Sequence, residues 1–309
     1  SVKGSEFYKH HQNARRITSN ELAGCSQKAP RMIVLAAQLA AAVALLLWST
    51  RLIRTGVERA FMPELKRGLK GLSGNTMSAA AGGGFAAMVM QSATAVSLIS
   101  AGFAISGMLA PHSALALILG AELGSAMMTQ VLTLPVQNII PFALLIGVAA
   151  FLKAKSRKTK QVGRIVIGFA LVFISLGMIR EATAPIGENA IIQSIAAYFQ
   201  DDLISAYALG AALTWAMHSS LAAVLTFATF AATGLIAAPV AAALVIGANL
   251  GGAVIPFALL WSTERPARMI VLSNLVARGG ITVVFLAVLL SGTADLSILG
   301  PSAGQQAIT

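Results

Sequence analysis

The chain has 309 residues, 57% of them hydrophobic and 11% charged, with a formal net charge of +11. Soluble domains carry about 25% charged residues, so this composition excludes an ordinary soluble domain and indicates a polytopic integral protein of the lipid bilayer. The basic residues lie between apolar segments rather than on one face, which argues against nucleic-acid binding. The single cysteine, Cys25, excludes an intramolecular disulfide.

Apolar segments long enough to cross a membrane, or to enter it, alternate with short polar segments in the first half of the chain. In chain order, the predicted elements are a mobile polar tail Ser1–Pro30, a span Met32–Ile53, a basic surface helix Arg54–Lys70, an apolar hairpin Ser78–Gly107, a span Pro111–Thr133 that is interrupted at Gly120–Ser125, and a span Asn138–Leu152.

The second half repeats the first with an offset of 127 residues. Over Ala80–Ala126, 19 of 47 positions are identical to their counterparts. The repeated elements are a span Gly163–Ile179, a polar segment Glu181–Asp202, a hairpin Ala206–Gly234, a span Pro239–Trp261 with an interruption at Gly247–Gly252, and a span Met269–Ser291. A duplicated, interrupted membrane unit is typical of secondary transporters, with the binding site between the repeats.

Charged loops predict the direction in which each repeat runs. Residues 153–164 hold six basic residues and no acid, and residues 54–70 hold five basic residues, so both loops are expected on the cytoplasmic side. An even number of crossings must then separate them. Ser78–Gly107 is too short for two full spans, so it predicts a re-entrant helical hairpin with its tip at Gln91-Ser92. Each repeat then holds three crossings, and the two copies are inverted.

Two polar runs, Gln91–Thr94 and His218–Ser220, stand at matching positions of the repeats. One interpretation is that their hydroxyls hydrogen-bond to helix carbonyls and join helices together. The other is an anion site, because a hairpin tip presents unpaired N–H groups and positive helix N-termini to an oxyanion such as phosphate. The repetition favours the anion site.

The glycine-marked segments Gly120–Ser125 and Gly247–Gly252 also allow two interpretations. They either permit close helix packing or unwind, and unwound carbonyls bind cations. We expect a discontinuous transmembrane helix in each repeat. Glu122 then ligates a cation, carries a coupling proton or pairs with Arg278, and Arg278 is either that partner or a phosphate-binding cation. Asn249 supplies a neutral oxygen ligand at the equivalent position, and no transition-metal site is expected.

Motif order adds a resemblance. The repeats read QSATAV from Gln91 with GAELGS from Gly120, and HSSLAA from His218 with GANLGG from Gly247. These resemble the Q-S-S-S-type and G-A-N-I-G-T-type motifs of the bacterial sodium-dependent inorganic phosphate (Na⁺/Pi) cotransporter family. The resemblance covers about Leu45–Leu290.

The resemblance implies a phosphate and Na⁺ site near Asn249, lined by Gln91, Ser92, Thr94, Ser219 and Ser220. His218 and Arg278 complete the predicted substrate set, and with the resemblance the predicted Na⁺ ligands are Gln91, Glu122, Ser125, His218 and Asn249. The chain departs from the family pattern at Ala93, His218, Glu122 and Arg278, so H⁺ coupling through Glu122 or His218 stays an alternative. Many family members continue into a cytosolic domain of the phosphate-uptake regulator type, which implies such a regulator as a partner.

Together these observations predict an all-α integral membrane protein of two inverted-topology repeats, each with a re-entrant helical hairpin and a discontinuous transmembrane helix. The predicted domains are a tail 1–30, repeats 31–157 and 158–291, and a tail 292–309. The expected function is sodium-coupled symport of inorganic phosphate across the cell inner membrane by alternating access, without enzymatic activity. The alternatives are an H⁺-coupled transporter of another small anion and a phosphate-binding sensor or scaffold that does not transport.

Overall fold

The computed structural model of the protein describes residues 3–71, 75–134, 137–187 and 189–292, and for residues 3–31 and 137 it describes the backbone alone. These ranges form α-helices and one 3₁₀ turn, Gln137–Ile139, with no strand among them. The helices are α1 (Lys3–Gly71), α2 (Thr76–Met90), α3 (Ala93–Ile105), α4 (Pro111–Leu132), α5 (Ile140–Lys153), α6 (Arg157–Gly187), α7 (Ala190–Asp201), α8 (Leu203–Met217), α9 (Ser220–Ala232), α10 (Ala238–Leu259) and α11 (Arg265–Leu290).

The all-helical prediction is confirmed for the described residues. Five stretches are long and apolar enough to cross a membrane: Met32–Gly71 within α1, and helices α4, α6, α10 and α11. Helices α2, α3, α5, α8 and α9 are apolar but have only 13–15 residues each. The predicted tail 292–309 lies, apart from Gly292, outside the described residues.

Helix α1 differs from the prediction at both ends. The segment expected to be an irregular tail is helical from Lys3 onward, and the surface helix expected over Arg54–Lys70 is the continuation of α1. The prediction of a separate surface helix is wrong because one face of this segment packs inside the protein. Val57 and Leu69 are buried there, and Lys158 of α6 donates a hydrogen bond to Glu64 at 3.0 Å.

The internal duplication is visible helix by helix. Helices α2, α3 and α4 have 15, 13 and 22 residues, and so do α8, α9 and α10. Every boundary recurs at the 127-residue offset, from Thr76 and Leu203 at the start to Leu132 and Leu259 at the end. Each predicted hairpin is broken at its expected tip, between Met90 and Ala93 and between Met217 and Ser220.

The glycine segments behave differently from the prediction, because α4 and α10 run through them without a break. The predicted discontinuous helices are therefore wrong for the described structure. These glycines let helix backbones touch. A Cβ on Gly120 would overlap the backbone of Ala80 in α2, and a Cβ on the equivalent Gly247 would overlap the backbone of Tyr207 in α8.

The same contact repeats along both helix pairs. Among the described glycines, each of the following would place a Cβ on the backbone of the partner helix: Gly83, Gly120 and Gly124 between α2 and α4, and Gly210, Gly247 and Gly251 between α8 and α10. The closest packing in each repeat therefore joins the first hairpin helix to the long helix that follows the hairpin.

Replacement of Gly120 by alanine tests this packing. Gly120→Ala is expected to destabilise the protein by about 1–3 kcal/mol or more, because the new methyl group forces α2 and α4 apart. Thermal unfolding of the detergent-purified protein, followed by circular dichroism, measures the effect. Gly102→Ala is the matched control, since Gly102 is also helical but a Cβ there meets nothing within 4 Å. Equal melting temperatures for the two variants would contradict the close contact.

Candidate substrate and ion site

The first tip is a two-residue break between α2 and α3. Gln91 ends α2 in the left-handed region (φ 50°, ψ 35°), and its N–H donates to the carbonyl of Ala87. Ser92 is extended, and its Oγ accepts a hydrogen bond from the N–H of Ala95 at 3.1 Å. Serine is a favoured N-cap, so the sequence Gln-Ser both ends one helix and starts the next. The Ser92 hydroxyl keeps its own proton free to donate to a ligand.

The second tip has the same backbone. His218 ends α8 with φ 52°, and Ser219 caps α9 by accepting from the N–H of Ala222 at 3.3 Å. Within the described ranges, Gln91 and His218 are the two non-glycine residues with positive φ. A left-handed non-glycine residue costs roughly 1–3 kcal/mol and persists where the surrounding structure enforces it. The left-handed conformation recurs at equivalent positions of the two repeats, which indicates that it is a structural feature of the repeat itself.

Both tips line one cavity of about 650 Å³. Six of the seven predicted substrate residues lie on its wall: Gln91, Ser92, Thr94, His218, Ser219 and Ser220. The seventh, Arg278, does not line it. Helices α3 and α9 both begin at the cavity, at Ala93 and Ser220, so two positive helix N-termini border the same space. The structure thus brings the two predicted tips together.

Helix α1 supplies the cavity with charges that sequence reasoning missed. Arg51, Arg54 and Glu58 line it, and Nε of Arg54 lies 3.8 Å from Oε1 of Glu58. The sequence interpretation assigned Arg54 only to a cytoplasmic loop. Trp48 is also on the cavity wall. The spacing of three and four residues from Arg51 to Glu58 places the charged groups on one helix face, and this was the available signal.

Gln91 is the most unusual polar side chain at the cavity. It is 5% exposed, and neither its amide oxygen nor its amide nitrogen has a hydrogen-bond partner within the protein. An unsatisfied buried polar group costs about 1–3 kcal/mol, so such a group calls for a ligand or water. The amide can accept from one ligand and donate to another.

Arg278 forms a separate polar cluster with the predicted cation ligands of α4 and α10. Its guanidinium makes an ion pair with Glu122 and donates a hydrogen bond to the side-chain oxygen of Asn249. Of the interpretations left open by the sequence, the structure thus shows the ion pair. Ser125 is buried on α4 and does not line the cavity.

The five predicted Na⁺ ligands therefore fall into different places. Gln91 and His218 face the cavity, whereas Glu122 and Asn249 contact Arg278. The two places are close, because a Cβ built on Gly252 would lie 3.5 Å from both Nη2 of Arg278 and Oγ of Ser220. Across the described residues, no group of three or more His, Cys, Asp or Glu side chains could hold a metal ion.

Substitution at His218 tests the tip geometry. His218→Gly is expected to be at least about 1 kcal/mol more stable than His218→Val, because a β-branched residue resists positive φ and glycine does not. Melting temperatures of the purified variants measure the difference. At Ala212, an exposed helical position of α8, the order should reverse, since glycine is the poorer helix former. The same order at both positions would contradict a left-handed tip.

Comparisons with known proteins agree with the motif resemblance. The model of the Na⁺/Pi-cotransporter family matches residues 45–181. Two relatives named "Putative inorganic phosphate export protein YjbB", from Salmonella typhimurium and Escherichia coli K12, are each 37% identical over 238 residues, which are 77% of this chain and 44% of theirs. The "Uncharacterized protein YqeW" of Bacillus subtilis is 26% identical over 163 residues, 53% of each chain.

The chain thus spans less than half the length of the YjbB proteins that it matches. No solved structure matches it significantly. The predicted resemblance is confirmed: residues 45–181 match the Na⁺/Pi-cotransporter family model, the YjbB proteins are similar over 238 residues, and the five long apolar helices indicate a multi-pass membrane protein.

Proposed function

We propose that the protein is a secondary transporter that couples inorganic phosphate to Na⁺ by alternating access in the cell inner membrane. The observation that carries this proposal is that both repeat tips and two arginines of α1 line the same cavity. Family membership points to transport rather than catalysis.

Phosphate recognition follows from the donors at the cavity wall. Two helix N-termini, the hydroxyls of Ser92 and Ser219, and the guanidinium groups of Arg51 and Arg54 all present hydrogen-bond donors to the same space. Guanidinium groups match the geometry of phosphate oxygens, and helix N-termini favour anions. Thr94 and Ser220 add hydroxyl donors that carry no permanent charge, which permits release as well as binding.

Sodium binding at the same cavity is proposed from its neutral oxygen atoms. The unpartnered Gln91 side-chain oxygen is a hard ligand of the kind that Na⁺ takes, and a bound phosphate would supply further oxygens. A cation next to the anion lowers the electrostatic cost of moving phosphate through an apolar environment. Coupling then arises because each ion strengthens the binding of the other.

The proposed architecture places this cavity between inverted repeats, with residues 31–157 as the first and residues 158–291 as the second. The identical helix lengths and the matching tip conformations of the two halves support the duplication on which the inversion rests. Hairpins that re-enter rather than cross are part of the same proposal, supported by the 15- and 13-residue helices on either side of each tip. A cytosolic phosphate-uptake regulator is the proposed protein partner.

Export is the second candidate direction. It is favoured by the printed name of the YjbB relatives, which describes phosphate export. The same cavity serves either direction, because the ion gradients set the direction of net flux through a coupled carrier. Uptake and efflux therefore have to be measured separately.

Phosphate flux in proteoliposomes tests the proposal. Purified protein reconstituted into vesicles is expected to move labelled phosphate when an inward Na⁺ gradient is imposed, and to move less when choline replaces Na⁺. Vesicles preloaded with phosphate measure efflux. Phosphate flux that follows a pH gradient and is abolished by Glu122→Gln would identify H⁺, rather than Na⁺, as the coupling ion. Phosphate binding without flux under any gradient would assign the protein to the sensor class.

Arg51 provides a residue-level test of the cavity. Arg51→Met is expected to raise the KM for phosphate by about tenfold or more, because a charge-assisted hydrogen bond contributes about 1.5–3 kcal/mol. Initial rates across a phosphate series measure the change. Arg59→Met is the control, since Arg59 is an exposed arginine of the same helix that does not line the cavity. Equal KM values for the two variants would remove Arg51 from the phosphate site.

A further inference from the structure

Arg278 lies between two side chains that the duplication makes equivalent. Glu122 is the twelfth of the 22 residues of α4, and Asn249 is the twelfth of the 22 residues of α10. Arg278 comes from the middle of α11, and its guanidinium contacts both side chains at once. One cationic group therefore bridges corresponding positions of the two halves, at the midpoint of three helices that are each long enough to span the membrane.

The two groups that receive the guanidinium are ligands of the kind that bind metal cations. A carboxylate oxygen of Glu122 and an amide oxygen of Asn249 are both hard ligands, and together they carry a single negative charge. A pair with one negative charge suits a monovalent cation better than a divalent one. The side chains of Arg278 and Glu122 are only 8% and 19% exposed, so a carboxylate left without a cation here would be costly.

We propose that Arg278 is a built-in cation that permanently fills a monovalent-cation site formed by Glu122 and Asn249. In this protein a mobile cation does not bind between α4 and α10, because a covalently attached one already neutralises the carboxylate. The coupling ion then binds at the cavity tips. This inference concerns the ligand set of Arg278 alone, and it holds whether or not phosphate is the transported anion.

Neighbouring residues support the assignment of a filled site. Gly252 of α10 lies beside the guanidinium: a Cβ there would lie 3.5 Å from Nη2 of Arg278 and 3.1 Å from the Cβ of Ser220. The guanidinium therefore lies near the N-terminus of α9, and Arg278 is not among the residues that line the cavity. Removal of the arginine side chain would leave a space bordered by the Glu122 and Asn249 oxygens, which are two of the oxygen ligands that a small cation needs, and water can supply the others.

Cation-dependent melting of the purified protein tests the proposal. The protein in phosphate-free detergent solution is melted in NaCl, KCl and choline chloride at equal ionic strength. The melting temperature of Arg278→Ala is expected to be roughly 2 °C or more higher in NaCl or KCl than in choline chloride, because a bound cation stabilises the folded state by mass action. This cation gain is counted beyond any difference that the unmodified protein shows between the same salts. Arg278→Ala combined with Glu122→Gln should lose this gain, and Arg278→Lys, which keeps an attached cation, should not show it.

The remaining outcomes decide against the proposal. An Arg278→Ala protein that folds but melts with the same cation dependence as the unmodified protein would overturn it, and so would a gain that persists after Glu122→Gln. If Arg278→Ala folds in choline chloride poorly but in NaCl or KCl well, the proposal is supported. If no salt recovers folding, the guanidinium acts by packing and the proposal fails. Absence of phosphate flux in the unmodified protein, together with a clear cation gain in Arg278→Ala, would count against the proposed function alone.

Discussion

Close contact between helix backbones is the constraint on which the rest of this structure depends. Helices in a lipid environment have no hydrophobic driving force toward one another, so their association relies on van der Waals packing. Glycines at the contacts of α2 with α4 and of α8 with α10 allow the backbones themselves to touch. Because α2 ends at Gln91 and α8 ends at His218, each contact holds one tip in place. A cavity with donors at fixed positions needs that support.

The polar groups in the middle of the protein are divided between two environments. The cavity carries unpaired hydrogen-bonding capacity, most clearly the amide of Gln91, together with arginines of α1. The charges of the cluster of Arg278, Glu122 and Asn249 are balanced, because the guanidinium pairs with the Glu122 carboxylate, although Nε of Arg278 has no hydrogen-bond partner among the described residues. A site that binds and releases ions needs unpaired polar groups, as at the cavity. The paired charges of the Arg278 cluster instead suit a stable contact between the two repeats.

The tips could be predicted from sequence because their signal is local. Gln-Ser and His-Ser interrupt apolar segments at equivalent positions, and an N-cap serine determines where the next helix begins. The role of the glycines could not be predicted in the same way. A glycine in a membrane helix marks either an unwound segment or a close neighbour, and only the position of the other helix distinguishes the two.

Long-range contacts explain the other differences. Glu122 and Arg278 are 156 residues apart, so the sequence offered their pairing only as one alternative beside cation or proton coupling at Glu122. Arg54 was interpreted from its sign and its loop rather than from the helix face on which it lies, and Arg51, inside the predicted span, was given no role. That face became clear only once α1 was seen to run past Ile53 without a break and to border the cavity.

The arginines at the cavity come from α1, and no side chain of α6 lines it, although α6 holds the segment that matches the first span in the repeat. In a carrier built as proposed, the outward-facing and inward-facing states arise when the two repeats exchange conformations, so identical repeats would give equal affinities on both sides. Charges contributed by only one repeat make the phosphate affinities of the outward-facing and inward-facing states unequal. In a closed thermodynamic cycle, this difference in affinity is linked to the difference in free energy between the empty outward-facing and empty inward-facing states. In such a carrier, Arg51 and Arg54 would set which side the empty carrier prefers to face, while the ion gradients alone would set the direction of net movement.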